Sequence, residues 1–269
     1  MKNLKDICRQ VIDIAKDTGK YMKNEQDKIT SDIVETKSLH SFVTYVDKTA
    51  EQKIVDRLRD ILPKAGFITE ENTANEKGEE YIWIIDPLDG TTNFIHGIAP
   101  FAVSIALQKN NETILGVVYE AGRDECFYSH KGSDAFMNGK KISVTNSRKI
   151  GDSIISTGFP YSDFSKIDAI ADTLKYFMKN SHGIRRFGTA ATDLVYVACG
   201  RFDAFYELTL NIWDVAAGAF IVKQAGGNVS DFSGGNNYLS GGEIMASNKN
   251  IFPEFQNIIS KYFKTDYLQ

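Results

Sequence analysis

The segment that decides this fold is WIIDPLDGTTNF, residues 83–94. Its apolar beginning predicts a buried strand, because a short run of large apolar residues bounded by turn formers is typical of a strand covered on both faces. The strand leads to Asp86, and Asp89 follows three residues later. Gly90 and Thr91 then open a short helical turn, so two carboxylates and a helix start are expected at one strand end.

Asp86 and Asp89 repel each other at this spacing unless a cation lies between them. Mg²⁺ takes oxygen ligands, typically one or two carboxylates together with waters and substrate phosphate. The free amides at a helix start, here those of Gly90 and Thr91, favour an anion such as phosphate. The segment therefore predicts a metal and phosphate site. A plain turn is the alternative, because Asp-Pro and Asp-Gly are common turn formers and Asp89 can cap a helix.

Composition places the chain among ordinary globular proteins. Its 269 residues are 42% apolar and 25% charged, which excludes disordered and fibrous classes. The formal net charge of −4 argues against nucleic acid or a membrane surface as the main partner. The three cysteines are far apart and the first residues lack an apolar signal segment, so we expect a reduced protein in the cytoplasm.

The first half of the chain predicts two amphipathic helices and an antiparallel sheet. Apolar residues recur at helical spacing over residues 4–22 and again over residues 48–62. Residues 30–46 are polar and irregular and predict a loop or a mobile hairpin. Short apolar runs separated by turn pairs over residues 101–145 predict an antiparallel meander.

Beyond residue 150 the pattern changes to short strands that alternate with helices. Strands are expected at residues 153–157, 183–187, 202–206, around 229 and at 244–246, and helices at 169–178, 190–199, 215–224 and 253–262. The sequence therefore predicts an α+β half at residues 1–150, with the antiparallel sheet and most candidate ligands, and an α/β half at residues 151–269.

Two long motifs in this order resemble the signatures of the inositol monophosphatase family of metal-dependent, lithium-sensitive sugar phosphatases. The first spans residues 83–96, and the second spans residues 213–222 and leads to Ala-Gly-Gly at 225–227. The segment GTAATD at 188–193 is similar to the family's substrate-facing segment, and the resemblance covers about residues 4–262. It implies a layered αβαβα sandwich of the sugar-phosphatase type and a homodimer.

The resemblance also implies two or three Mg²⁺ ions in one cleft. Glu70, Asp86 and the carbonyl of Leu88 would hold the first ion. Asp86, Asp89 and Asp214 would hold the second, and a weaker third ion would use Glu70 and solvent. Two of these residues have ordinary structural alternatives: Asp214 can cap the helix that follows, and Glu70 begins an acidic stretch typical of a solvated loop.

Hydrolysis in this family uses a water nucleophile and no phosphoenzyme, and the residues that would activate the water are present. By resemblance, Thr91 with Asp47 would position the water and accept its proton, and Glu70 is the third candidate catalytic residue. The amides of Gly90 and Thr91 would bind the phosphate. Asp47 lies where the N-cap of the second helix is expected, so capping is its alternative role.

Recognition of the substrate alcohol is expected from the second half of the chain. Glu207 matches the family position that hydrogen-bonds a ring hydroxyl, although it can equally be an ordinary acid at a strand end. Gly188, Thr189 and Ala190 would line the same side, and Asp214 would be shared with the metal.

One departure from the family pattern concerns the mobile loop, which commonly reads Lys-x-x-x-Asp. Here Lys37 is followed by Ser41 in place of the acid. Lys37 is a candidate for the phosphate or the third metal, or it is simply solvated. The missing acid weakens the expectation of a third metal.

The activity implied by the resemblance is Mg²⁺-dependent hydrolysis of a small polyol phosphomonoester, with myo-inositol 1-phosphate as the default substrate. Related enzymes act on fructose 1,6-bisphosphate, 3′-phosphoadenosine 5′-phosphate or the 2′-phosphate of NADP(H), and the sequence does not separate these. A non-catalytic regulatory or RNA-associated binding module is an alternative of another class. The presence of every candidate metal carboxylate and of Thr91 argues against it.

Overall fold

Two β-sheets separated by a pair of helices form the frame of the molecule. The computed structural model describes residues 3–29, 35–38, 41–161 and 163–263, and for residues 35–38 and 41–43 it describes the backbone alone. In the described residues, no helix combines the length and the apolar character needed to cross a membrane.

The elements are numbered in chain order. The helices are α1 (Leu4–Gln26), α2 (Tyr45–Ile61), α3 (Thr91–Ile95), α4 (Ile167–Asn180), α5 (Ala190–Ala198), α6 (Ile212–Gln224) and α7 (Phe252–Phe263). The strands of the first half are β1 (Glu35–Ser38), β2 (Ser41–Val43), β3 (Gly66–Thr69), β4 (Tyr81–Asp89), β5 (Ala102–Lys109), β6 (Glu112–Glu120), β7 (Glu125–His130), β8 (Phe136–Met137) and β9 (Lys140–Lys141). The remaining strands are β10 (Ile154–Thr157), β11 (Gly183–Arg185), β12 (Ala204–Leu208), β13 (Asn228–Ser230) and β14 (Glu243–Ser247).

The larger sheet has seven strands in the order β3-β4-β5-β6-β7-β8-β9. Strands β5 to β9 form the antiparallel meander predicted for residues 101–145, β4 extends it as a further antiparallel strand, and β3 pairs with β4 in parallel. Strand β4 is longer than predicted: it continues past Asp86 to Asp89, with an irregularity in its pairing between these two residues. The predicted turn is therefore an irregular strand end, because β5 continues to pair beyond it.

The smaller sheet has five strands in the order β11-β10-β12-β14-β13. Strand β10 is parallel to both β11 and β12, whereas β14 is antiparallel to both of its neighbours. The parallel pairing expected of an α/β half therefore holds for β10, β11 and β12. The sheet as a whole contains both parallel and antiparallel pairs.

Helices cover both sheets in five layers. Helices α1 and α2 pack on one face of the large sheet through residues such as Val11, Ile54 and Trp83. Helices α5 and α6 lie between the two sheets, and α4 and α7 cover the outer face of the small sheet. The order is αβαβα, so the layered sandwich predicted from the sequence is confirmed.

The central layer packs closely because small residues face each other. A Cβ at Gly116 of β6 would lie 2.7 Å from the carbonyl oxygen of Ala217 in α6. A Cβ at Gly218 would lie equally close, 2.7 Å, to the Cβ of Leu194 in α5. The small residues of the second signature therefore allow α6 to contact both β6 and α5.

The structure bears on two further predictions, the hairpin and the division of the chain into halves. The hairpin predicted at residues 30–46 is present as β1 paired with β2, and residues 30–34, 39 and 40 lie outside the described residues. The cluster of buried residues between the sheets draws on both predicted halves. The division of the chain at residue 150 remains a prediction.

We predict that Gly116→Ala destabilises the protein, because the added methyl group meets the Ala217 backbone, which cannot move without shifting α6. The expected loss in unfolding free energy is about 1–3 kcal/mol, measured by chemical denaturation. Gly151→Ala is the matched control, since the nearest atom to its Cβ would be 3.9 Å away. Equal losses in the two variants would contradict the close-packing interpretation.

Candidate functional site

A cleft with about 810 Å³ of empty volume opens where the end of β4 meets α3, α6 and the end of β12. Most of the residues predicted as site residues line it. They are Glu70, Asp86, Leu88, Asp89, Gly90, Thr91, Gly188, Ala190, Glu207 and Asp214. Asp47 and Thr189 lie just behind this lining, and the side chain of Lys37 lies outside the described residues.

Glu70 and Asp86 are brought together because β3 and β4 run in parallel. Thr69, the last residue of β3, pairs with Ile85, and the Glu70 amide donates to the Ile85 carbonyl at 3.2 Å. The carboxyl ends of the two strands therefore meet at the same sheet edge. The Glu70 carboxyl is close enough to Asp86 to raise the pKa of that group.

Asp86 is the most buried of the candidate acidic ligands, with 2% of its surface exposed. The Leu88 amide donates to Asp86 Oδ1 at 2.9 Å and fixes the irregular end of β4. Burial raises the pKa of Asp86 well above its usual range, and the charges of Glu70, Asp89 and Asp214 raise it further. A buried acid among other acids needs either a proton or a cation.

Asp89 connects the end of β4 to the start of α5. Its Oδ2 accepts hydrogen bonds from Thr189 Oγ1 at 2.5 Å and from the Ala191 amide at 2.7 Å. Burial raises the pKa of Asp89 to about 7, although these two hydrogen bonds oppose the shift. Thr189 is also the N-cap of α5. The contact of Thr189 with substrate stays a prediction.

Asp214 lies in the first turn of α6, and the expectation that it precedes and caps this helix is wrong. The cap is Asn211, and the Asp214 side chain accepts a hydrogen bond from the Asn211 amide at 2.7 Å. The helix starts earlier than predicted because Asn211 and Asp214 form a reciprocal capping box. Burial and the charge of Asp89 raise the pKa of Asp214 well above its usual range.

Asp47 is likewise in the first turn of its helix, not at its cap. Thr44 caps α2, and its amide and hydroxyl both donate to Asp47 Oδ2, at 2.8 and 2.7 Å. The expectation that Asp47 is the N-cap is therefore wrong, because Thr44 supplies the capping oxygen three residues earlier. Burial raises the pKa of Asp47 to about 6.

Thr91 joins Asp47 to the strand end. Its hydroxyl lies 3.2 Å from Asp47 Oδ1 and 3.1 Å from the Leu88 carbonyl oxygen. It is the first residue of α3, and Gly90 caps that helix with a φ of 90°. At this φ a side chain would be strained, and glycine lets the chain turn from strand to helix within one residue.

Glu207 lies on the opposite side of the cleft lining, near the end of β12. It is 9% exposed and packs against the backbone of Gly158, where a Cβ would overlap its carboxylate. Burial raises the pKa of Glu207 well above its usual range, as do the charges of Asp193 and Asp89, while Arg186 opposes the shift.

Three functional candidates were missed by the sequence reasoning. Glu51 is fully buried in α2 and accepts from the Glu71 amide at 2.8 Å and from the Thr73 amide and hydroxyl at 2.9 and 2.8 Å. It follows Asp47 by one helical turn and shares the apolar face of Ile54, a pattern that could have identified it. The other two are Asp193, a buried acid within α5, and Arg186 at the edge of the cleft.

Asp193 is fully buried, and both of its carboxylate oxygens lack a hydrogen-bond partner in the described part of the chain. Burial, and then the charge of Asp89, raise its pKa well above the usual range. A lone acid in the apolar helix α5 was the signal in the sequence.

The cleft supplies carboxylate and carbonyl oxygens, which are the ligands of hard cations such as Mg²⁺. Across residues 3–263, apart from the gaps named above, no three acidic, histidine or cysteine side chains stand close enough to enclose an ion on their own. Mg²⁺ usually keeps several waters and binds through one or two carboxylates and substrate phosphate. The donor set therefore fits a hydrated hard cation.

Comparison with known proteins gives a consistent result. The model of the inositol monophosphatase family matches residues 3–262. The Nus factor SuhB of Pseudomonas aeruginosa is 41% identical over 88% of this chain and 90% of its own length, and the inositol-1-monophosphatase of Mesorhizobium japonicum is 38% identical over 89% and 90%.

The crystal structure of the extragenic suppressor protein SuhB from Bartonella henselae superimposes with a TM-score of 0.91 at 37% identity, over 95% of this chain and 99% of that one. The fold is thus shared with a protein of known structure. The chain belongs to the inositol monophosphatase family.

Proposed function

We propose that this protein hydrolyses a small-molecule phosphomonoester in the acidic cleft, with Mg²⁺ as cofactor and myo-inositol 1-phosphate as the first candidate substrate. The observation that carries the proposal is the presence of Glu70, Asp86, Asp89 and Asp214 in one cleft beside the start of α3. Family membership supports phosphomonoesterase activity at this site.

The residues that would hold the metal are those that the family resemblance implies. Glu70, Asp86 and the Leu88 carbonyl would hold one ion, and Asp86, Asp89 and Asp214 a second. When bound, the metal supplies Lewis acidity and positive charge for phosphoryl transfer. A third ion and sensitivity to lithium belong to the same proposal.

The chain's own residues would bind and orient the reactants. The amides at the start of α3 have no partners within the helix, so those of Gly90 and Thr91 would bind the phosphate. Thr91 donates to Asp47, which leaves its oxygen lone pairs to accept a hydrogen bond from a water in the cleft. Asp47 would then receive the proton through the Thr91 hydroxyl. Glu207 would contact a hydroxyl of the leaving alcohol.

A regulatory binding role is the second candidate, and one observation favours it. The Pseudomonas relative carries the name Nus factor, and it is 41% identical to this chain over most of its length. The predicted absence of a nucleic-acid partner, the cytoplasmic location and the homodimer are part of our proposal and await direct measurement.

The decisive experiment measures phosphate release with and without Mg²⁺ from inositol 1-phosphate, fructose 1,6-bisphosphate, 3′-phosphoadenosine 5′-phosphate and NADP, each also with Li⁺. We expect Mg²⁺-dependent release, and a loss of about 100-fold or more in Asp89→Ala, because the variant lacks a ligand of the second ion. Asp152→Ala, an exposed acid outside the cleft, is the control. No release from any of the four compounds by the wild type would favour the binding role.

Without metal, the charged form of the buried carboxylates should lower the stability of the protein. The pKa of Asp89 is about 7 in the folded protein, against an ordinary value of 3.8. Its contribution to stability is therefore complete below about pH 4 and is lost as the pH rises through about 7. In EDTA we expect Asp89→Asn to have a higher Tm than the wild type at pH 8, and a smaller advantage at pH 5.

The measurement for this prediction is thermal unfolding at the two pH values, followed by addition of Mg²⁺ at pH 8. The metal should raise the Tm of the wild type more than that of Asp89→Asn. An advantage of equal size at pH 5 and pH 8 would show that the charge of Asp89 is not the cause.

Glu51→Gln should weaken metal binding although Glu51 does not line the cleft. The amide group of Gln can replace one acceptor oxygen, so either the Glu71 amide or Thr73 loses its partner and the loop that carries Glu70 shifts. We expect Mg²⁺ affinity to fall by about 10-fold or more, measured by calorimetry.

The control for Glu51 is Glu120→Gln. Glu120 is also fully buried and accepts from two loop amides, those of Gly122 and Arg123, both at 2.9 Å, but it does not line the cleft. Both variants should lose similar stability, and Glu51→Gln alone should lose metal affinity. Equal Mg²⁺ affinities in the two variants would show that Glu51 has only a structural role.

A further inference from the structure

Arg186 lies at the edge of the cleft, beside the lining residues Gly188 and Tyr161. It lies two residues before Gly188, and a Cβ at Gly188 would lie 2.5 Å from Arg186 Nη1. Glycine at position 188, with a φ of 83°, therefore leaves the space that the guanidinium occupies beside the cleft lining.

Two aromatic residues hold the guanidinium at the mouth of the cleft. Arg186 Nη2 donates to the Tyr161 hydroxyl at 2.8 Å. The guanidinium carbon lies 5.5 Å from the centre of the Phe159 ring and 5.8 Å from that of Tyr161. Both rings are partly open to solvent, with 41% and 37% of their surface exposed, so this edge is accessible from outside.

The guanidinium is incompletely paired. Its Nε is buried, and in the part of the chain that the structure describes it has no hydrogen-bond partner. Such a donor is costly unless a ligand or water completes it. The positive charge of Arg186 partly offsets the raised pKa of two buried acids, Glu207 and Asp193.

The charge pattern of the cleft indicates what would pair with Arg186. The charged side chains among the described cleft-lining residues are all acidic: Glu70, Asp86, Asp89, Glu207 and Asp214. With metal in place, the four proposed ligands among these acids would serve the phosphate that is to be hydrolysed, and Glu207 would serve a hydroxyl of the alcohol. Arg186 is left to recognise a different group, and a guanidinium fork matches the oxygens of a phosphate.

We propose that Arg186, held by Tyr161 and Phe159, forms a subsite for a second phosphate group on the substrate. The proposal rests on the proposed phosphatase function and extends its substrate class, beyond polyol monophosphates, to compounds with two phosphates, either a sugar bisphosphate or a nucleotide with two separate phosphates. A monophosphate of a polyol would make no charged contact with Arg186.

The competing interpretation is that Arg186 only offsets the charges of Glu207 and Asp193. In that case its removal would impair the hydrolysis of every substrate to the same degree. A subsite instead predicts a change in KM that is confined to bisphosphates, with kcat preserved.

The experiment compares Arg186→Gln with Arg185→Gln, a matched variant of the neighbouring exposed arginine, whose Nη1 donates to the Ile184 carbonyl. KM and kcat are measured for inositol 1-phosphate, fructose 1,6-bisphosphate and 3′-phosphoadenosine 5′-phosphate. We expect Arg186→Gln to raise KM about 10-fold or more for at least one bisphosphate. KM for inositol 1-phosphate should stay within about two-fold, since it makes no second charged contact.

The two bisphosphates distinguish a sugar from a nucleotide as the source of the second phosphate. Equal KM changes for the monophosphate and both bisphosphates, or no change in any, would overturn the subsite. If Arg186→Gln fails to fold, Tyr161→Phe removes the hydroxyl that holds Nη2. It should raise the bisphosphate KM in the same direction and leave the monophosphate KM unchanged.

A binding measurement separates failure of the subsite from failure of the proposed function. A bisphosphonate analogue of fructose 1,6-bisphosphate, which cannot be hydrolysed, is titrated into the Mg²⁺-loaded protein by calorimetry. Absence of turnover with all substrates would refute the phosphatase proposal. Binding that weakens in Arg186→Gln but not in Arg185→Gln would still support the subsite, and equal binding in all three proteins would refute it.

Discussion

Repulsion between carboxylates that share one cleft is the constraint on which the rest of the structure depends. Glu70 follows β3, Asp86 and Asp89 end β4, and Asp214 belongs to α6, so two layers must meet for the cleft to form. In a medium of low dielectric these groups need protons or a cation. Burial raises the pKa of each of the three aspartates, and the charges of the neighbouring carboxylates raise it further.

Neutral hydrogen bonds keep these acids in place despite their repulsion. The bonds to Asp89 from α5 both reach Oδ2, and the bonds to Asp47 from Thr44 also both reach Oδ2. Anchoring through one oxygen holds each side chain, and the other oxygen of Asp47 accepts from the Thr91 hydroxyl at 3.2 Å. Glu51 extends the same principle to the loop that carries Glu70, through the Glu71 amide. The protein thus holds mutually repelling acids in fixed positions, and a hard cation bound between them would offset this repulsion.

Much of the fold could be predicted because its signals are local. The apolar alternation of the meander, the helical spacing of α1 and the small residues of α6 are all visible in the chain, and the structure contains them within a few residues. The positions of caps were harder. Asp47 and Asp214 were both expected at or before a helix start, yet Thr44 and Asn211 are the caps, because an acid at the third helical position completes a capping box as readily as it caps.

Sequence by itself determined the residue types and their order: two acidic motifs, a helix start at Gly90, and a family resemblance that names the candidate ligands. Tertiary structure alone decided which of them meet. The parallel pairing of β3 with β4 places Glu70 beside Asp86, and close packing at Gly116 and Gly218 seats α6 in the layer that carries Asp214 to the cleft. Roles such as those of Glu51 and Arg186 depend on hydrogen bonds and ring contacts between segments far apart in the chain, and no local pattern encodes such contacts.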